Sequence, residues 1–207
     1  LWIGTDSERL NKQIANECDG IVAGLYEYWV CYKPSFQQKT VFIPFPIEMP
    51  ETKSVEYGGG KKGRVFIGIN KSRNEYKGTD IMLAAAEELL EKYPDRMELI
   101  KVENVPFAQY QQLMNGSDLI IDQLYSYTPS MNPLLAMSKG IVCVGGGEPE
   151  NYEIIDENEL RPIINVLPIK ESVYRELESV ILNPEIIPSL KKQSVEYVQK
   201  HHDYIKV

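Results

Sequence analysis

Three cations, Lys71, Arg73 and Lys77, fall within seven residues of the polar stretch Asn70-Lys71-Ser72-Arg73-Asn74-Glu75-Tyr76-Lys77-Gly78. Arginine offers a planar fork to phosphate oxygens, lysine a compact charge, and glycine allows backbone to approach a ligand closely. A second stretch, Ser117 to Gly147, could hold the same ligand from another side. It runs from the apolar Leu119-Ile120-Ile121 through a polar loop, Gln123 to Met131, to Asn132-Pro133, which reads as a helix start with Asn132 as N-cap and Pro133 in the first helical position. Free N–H groups at a helix start, strengthened by the helix dipole, attract phosphate. Each stretch also has a plain reading, as a solvated charged loop or as a short connecting helix. Their chemistry depends on whether the fold brings them together.

Other candidates carry less. Gly145-Gly146-Gly147 suits a tight turn or a close backbone approach, but it is no GxGxxG fingerprint. Glu148 and Glu150 are expected near the same sheet edge, within reach of a sugar hydroxyl, and Tyr125 and Tyr127 could either pack or stack on a ligand. His201 and His202 end a charged helix without metal-ligand spacing and read as a solvated terminus. No metal site and no cofactor are expected. Cys18, Cys31 and Cys143 are an odd set without ligand spacing and read as reduced thiols.

The elements that must position these residues alternate. Apolar runs predict strands at Val65–Ile69, Met97–Val102, Leu119–Asp122, Ile141–Val144 and Ile163–Leu167. Helices are expected between and after them. Ile81, Met82, Ala85, Ala86, Leu89, Leu90 and Tyr93 recur at helical spacing behind a Thr79 or Asp80 cap, with Glu88 and Lys92 as an i,i+4 pair. Phe107–Met114, Pro133–Lys139, Ser172–Leu182 and Pro188–His202 follow, with Gly140 as a left-handed cap. The pattern predicts an α/β fold, a doubly wound parallel sheet of about five strands. Residues 1–50 contain two earlier strand-like runs, Gly20–Ala23 and Thr40–Ile43, and the glycine-rich stretch 51–63 reads as a linker ahead of a unit at 64–207. With 43% hydrophobic residues the chain can build a core, and a net charge of −8 argues against a nucleic-acid partner. No apolar run is long enough to span a membrane, and the start at Leu1 suggests a fragment or a processed chain.

Together these residues resemble the donor-binding half of a GT-B glycosyltransferase of the retaining, nucleotide-sugar-using type. Ile43-Pro44-Phe45-Pro46-Ile47 is similar to the strand end that closes the family's acceptor domain, and Leu135-Ala136-Met137-Ser138-Lys139-Gly140-Ile141-Val142 resembles its Glu-Ala-Met-Ala-x-Gly-x-Pro-Val run. Lys77-Gly78 resembles the family's lysine-glycine, with Arg73 as companion. The resemblance implies that Arg73 and Lys77 act catalytically by stabilising the diphosphate leaving group. It implies a Rossmann-like donor domain in which Asn104 and Val105 read the base, while Thr128 and the Ser130-Met131-Asn132 amides bind the donor's phosphate side. Residues 1–50 become the tail of an acceptor domain, and the fragment alone is not expected to transfer sugar. The implied partners are a nucleotide-diphosphate sugar and a saccharide or lipid-linked acceptor, in a cytoplasmic polysaccharide-building enzyme open to peripheral membrane association. One departure stands out: the positions matching the family's two glutamates are Tyr127 and Leu135. A catalytically inactive module that binds nucleotide-sugars is the alternative.

Overall fold

The structure, a computed structural model, describes residues 4–50 and 62–207. Nearly all of the predicted linker therefore lies outside the described residues, as does Leu1-Trp2-Ile3.

The N-terminal segment holds α1 (Asp6–Glu17), β1 (Ile21–Ala23), α2 (Tyr26–Tyr32) and β2 (Thr40–Phe42), the two strands pairing in parallel. Both strands fall where apolar runs placed them. Neither helix was expected. Ala15 is the one buried residue of α1, and α2 has none. α1 carries a short helical stripe, Leu10 and Ile14 with Ala15, that was legible but passed over, and both larger residues stay more than half exposed, while the aromatic run of α2 looks as much like a strand.

The larger unit contains β3 (Gly63–Ile69), α3 (Asn74–Lys77), α4 (Thr79–Lys92), β4 (Met97–Glu103), α5 (Phe107–Met114), β5 (Leu119–Ile121), α6 (Met131–Ser138), β6 (Val142–Val144), α7 (Pro149–Glu153), α8 (Lys170–Leu182) and α9 (Ile187–His201). Its four strands are all parallel, in the order β4-β3-β5-β6. Val65, Ile67, Leu119, Ile121, Val142 and Val144 point to one face, into a core with Met82, Leu89, Val173 and Leu177 from α4 and α8. Phe66, Ile120 and Cys143 point to the other, against Met114, Leu134, Met137 and Tyr197 from α5, α6 and α9. Strands buried on both faces explain why they read as continuous apolar runs. The expected doubly wound sheet is present.

Four local expectations need correction. The predicted strand Ile163–Leu167 is only a bridge, Val144 to Ile164, because Pro162 and Pro168 flank it and Asn165 turns its side chain to the Gly147 N–H at 3.3 Å. The stretch after β3 is not a plain loop but a 3-10 turn, Lys71–Arg73, followed by α3. Glu88 and Lys92 do not pair with each other: Lys170 takes Glu88 at 2.6 Å and Glu178 takes Lys92 at 2.9 Å, so both ion pairs tie α4 to α8. The C-terminal histidines are not solvated. His202 is buried, and His201 reaches the carboxylate of buried Glu157 at 2.6 Å.

Candidate functional site

The strand order reverses beside β3, with β4 on one side and β5 on the other, so a crevice opens at the carboxyl ends of β3 and β5. A groove of about 350 Å³ fills it, lined by Gly68, Lys77, Asn104, Val105, Tyr110, Asp122 and Asn132 among others. Beside it lies a cleft of about 580 Å³ lined by Glu27, Arg73, Lys77, Tyr125, Ser126 and Ser130 among others. Lys77 belongs to both.

Local sequence delivers Lys77 there. The Asn70 carboxamide oxygen accepts from Ser72 N–H at 3.1 Å and Ser72 Oγ at 2.7 Å, which closes the 3-10 turn. One turn of α3 follows. Gly78, at φ +68°, then ends α3 and begins α4, so it takes the capping place expected of Thr79 or Asp80. A Cβ at this position would lie 2.7 Å from Leu124 Cβ, in a backbone conformation that side chains disfavour. The tight junction lets Leu124 N–H donate to Lys77 C=O at 2.8 Å, fixing the lysine backbone to the loop after β5.

Asp122, immediately after β5, faces Lys77 Nζ at 3.9 Å and accepts from Ser130 Oγ at 3.4 Å. Burial pushes its carboxyl above the usual aspartate range, although the Lys77 charge pulls the other way. The back wall of the groove is Tyr110, packed edge-on against Phe66 with ring centroids 5.0 Å apart. Gly68 makes room for it. Tyr110 Oη accepts from Asn132 Nδ2 at 2.7 Å, and burial pushes its phenol up to about 12. At the far end, Asn104 adopts φ +48° just past β4, with its N–H donating to Ile69 C=O at 3.2 Å.

The expected site residues thus divide in three. Lys77, Asn104, Val105 and Asn132 line the groove, Arg73 and Ser130 line the cleft, and Thr128 and Met131 line neither. Thr128 is buried and engaged by Glu27, whereas Met131 is 48% exposed. The N-cap of α6 is Ser130, in extended backbone, rather than Asn132, and Pro133 stands third in the helix. Asn132 spends its side chain on Tyr110 instead, which holds the start of α6 against α5. Glu148 and Glu150 line neither the groove nor the cleft, since Glu148 precedes α7 and Glu150 lies within it. The glycine triplet does turn, with φ of +110° at Gly145 and +63° at Gly146.

Sequence reasoning passed over Asp122, Tyr110 and Glu27. A carboxylate at the carboxyl end of a buried strand was a legible signal for Asp122. No local signal marks Glu27, because the groups that receive it lie about a hundred residues away. Among the described residues no group of three or more His, Cys, Asp or Glu is placed to hold a metal ion, and no helix is long and apolar enough to cross a membrane.

No protein-family model matches the sequence, and no curated protein is a significant match to it. Solved structures do match in shape. Staphylococcus aureus TarM, in complex with fondaparinux, alpha-GlcNAc-glycerol and UDP, superposes with a TM-score of 0.73 at 9% identity, covering 98% of this chain and 45% of TarM. Anabaena HepE in complex with UDP-glucose gives 0.69 at 13% identity, over 96% of this chain and 64% of HepE. WaaG, a glycosyltransferase involved in lipopolysaccharide biosynthesis, gives 0.61 at 14% identity, over 97% of this chain and 65% of WaaG. The chain therefore has the Rossmann-like α/β fold of the GT-B structures and spans about half to two thirds of their length.

Proposed function

We propose that the groove and cleft form the donor site of a retaining glycosyltransferase that uses a nucleotide-diphosphate sugar. The observation that carries this reading is Lys77, whose side chain lines both spaces at the switch point of the sheet. In this reading the base lies in the groove beside Asn104 and Val105, the diphosphate passes Lys77 and Arg73, and the sugar extends into the cleft. Breaking the bond between the sugar's anomeric carbon and the diphosphate oxygen leaves negative charge on the diphosphate. Lys77 and Arg73 offset that charge, with the Met131 and Asn132 amides at the start of α6 as further donors. The scheme calls on no metal or cofactor.

Two similar structures have UDP or UDP-glucose in their complexes, which supports trying uridine donors first. Residues 1–50 form the tail of the acceptor side in this scheme, and 64–207 the donor domain. Transfer belongs to a protein with both cleft walls, acting on a saccharide or lipid-linked acceptor in cytoplasmic polysaccharide synthesis.

Calorimetric titration with UDP, GDP and ADP tests the site. Binding of one of them is expected, with Lys77→Ala and Arg73→Ala each weakening it by roughly tenfold or more, the scale of a lost charge-assisted phosphate contact. If none binds below millimolar concentration in a protein with both walls, the reading fails.

A second reading keeps the site but not the turnover. It is favoured by Tyr127 and Leu135, which stand where the family resemblance places glutamates. Sugar release from a donor panel separates the two: binding without release would make this a binding module.

A further inference from the structure

Glu27 lies in the first turn of α2, yet its carboxylate is received by the loop between β5 and α6. Oε1 accepts from the Tyr127 N–H and from the Thr128 N–H at 3.2 Å, and it lies 2.6 Å from Ser126 Oγ, whose single proton it shares with the Thr128 carbonyl, also at 2.6 Å. Oε2 accepts from Thr128 Oγ1 at 2.7 Å. Two amides and two hydroxyls converging on one point make an anion nest, here filled by the chain's own carboxylate. An ionised carboxylate has about four lone-pair sites, roughly two on each oxygen, so the two amides fill Oε1 while Oε2, with Thr128 Oγ1 as its one donor here, keeps accepting capacity. Glu27 also lines the cleft shared by Arg73, Lys77 and Ser130.

We propose that Glu27, anchored by this nest, presents Oε2 as the acceptor for a hydroxyl of the sugar carried on the diphosphate. The inference rests on the donor-site reading and deepens it. A sugar joined to a diphosphate held by Lys77 and Arg73 enters the same cleft, and its hydroxyl protons need an acceptor there. α2 thus brings a carboxylate to the backbone of the loop that borders the cleft. Recognition of the sugar then depends on contact between the N-terminal segment and the donor loop. A sequence match confined to the loop would miss it.

Glu27→Gln isolates the proposed atom. The amide oxygen can replace Oε1 in the nest, and the amide nitrogen can donate to Thr128 Oγ1 once that hydroxyl turns its proton away. The loop keeps its anchor, while the acceptor at Oε2 becomes a donor. Calorimetry on a protein with both cleft walls, with UDP, UDP-glucose and UDP-N-acetylglucosamine, alongside thermal unfolding, gives the comparison. Expected are an unchanged unfolding temperature, UDP affinity within about twofold, and a loss of roughly tenfold for whichever sugar nucleotide the native protein binds. Equal loss of UDP and sugar nucleotide would reduce Glu27 to a latch on the loop, and no loss would remove it from the sugar; either overturns the proposal. Native protein that binds UDP but neither sugar nucleotide also overturns it and leaves the diphosphate site standing. If a native protein with both cleft walls binds none of the three, the donor reading itself has failed and the sugar assignment goes with it.

Discussion

Asp122 is only 5% exposed, and its nearest cation, Lys77 Nζ, stands off at 3.9 Å. Desolvation outweighs that distant charge, so the folded protein holds the Asp122 proton more tightly than the unfolded chain does. The linkage sign follows. Stability from this group is fully present below the unfolded carboxyl range and is lost as pH rises through the raised folded value. Asp122→Asn is therefore expected to raise the unfolding temperature at neutral pH by roughly 2–4 °C, the size of a 1 kcal/mol change in a chain of this length. The gain should vanish on acidification, when the native carboxyl is protonated too. A variant less stable than the native protein at pH 7 would show that the Lys77 pairing dominates. The cost of keeping Asp122 charged beside the lysine is the kind of local conflict that functional sites retain.

At the scale of elements, what was legible and what was not divides by burial. β3 to β6 lie in the middle of a two-sided core, so their side chains had to be apolar without interruption, and α4 met the sheet with a helical stripe. Their existence and order could be read. The start of α6 could not be placed to the residue, because Ser130, Asn132 and Pro133 all suit a helix beginning, and the choice fell to the Asn132–Tyr110 hydrogen bond across to α5. α7 is five residues long, too short for any period to show. Half the candidate site was visible as a cation-bearing segment and a helix start, while Glu27 and Tyr110 acquire meaning only through tertiary contact. One such contact fixes α9 to the sheet. Lys191 and Asp118 pair at 2.7 Å with both side chains below 10% exposure, and the other Asp118 oxygen accepts from Arg64 N–H at 2.9 Å. Asp118→Ala would leave a buried lysine without its carboxylate, and about 3–5 kcal/mol of stability should be lost in urea unfolding. A loss under 1 kcal/mol would mean that Lys191 reaches solvent at little cost.

Across the whole molecule, the chain's last turn returns to its N-terminal segment. Beyond α9, Tyr204 N–H donates to Ile47 C=O at 3.1 Å, and the His202 carbonyl accepts from Ile47 N–H at 2.5 Å. The His202 ring is buried here against Tyr197, with Nδ1 2.9 Å from the Phe45 carbonyl. That acceptor requires Nδ1 to carry a proton, and burial, which disfavours the charged ring, leaves Nε2 bare at neutral pH. Burial holds the imidazole down at about 4, against a smaller raising effect of the Phe45 carbonyl, and a charged His201 adds the least, in the same direction as burial. A depressed folded value means that the contribution is complete above the ordinary imidazole range near 6.5 and is lost as pH falls toward 4. About 3 kcal/mol should disappear over that interval. Glu157 is the other titratable anchor of this end. Burial alone would raise its carboxyl, but Lys200, His201 and two backbone N–H groups hold it well below the usual range, so its share of stability is lost only in stronger acid. The window from pH 6.5 to 5 therefore reports on His202. His202→Asn keeps a donor where Nδ1 stood and removes the titration, so its unfolding free energy should stay flat across that window while the native protein's declines. Parallel declines in the two proteins would place the pH sensitivity elsewhere and leave this junction a passive one.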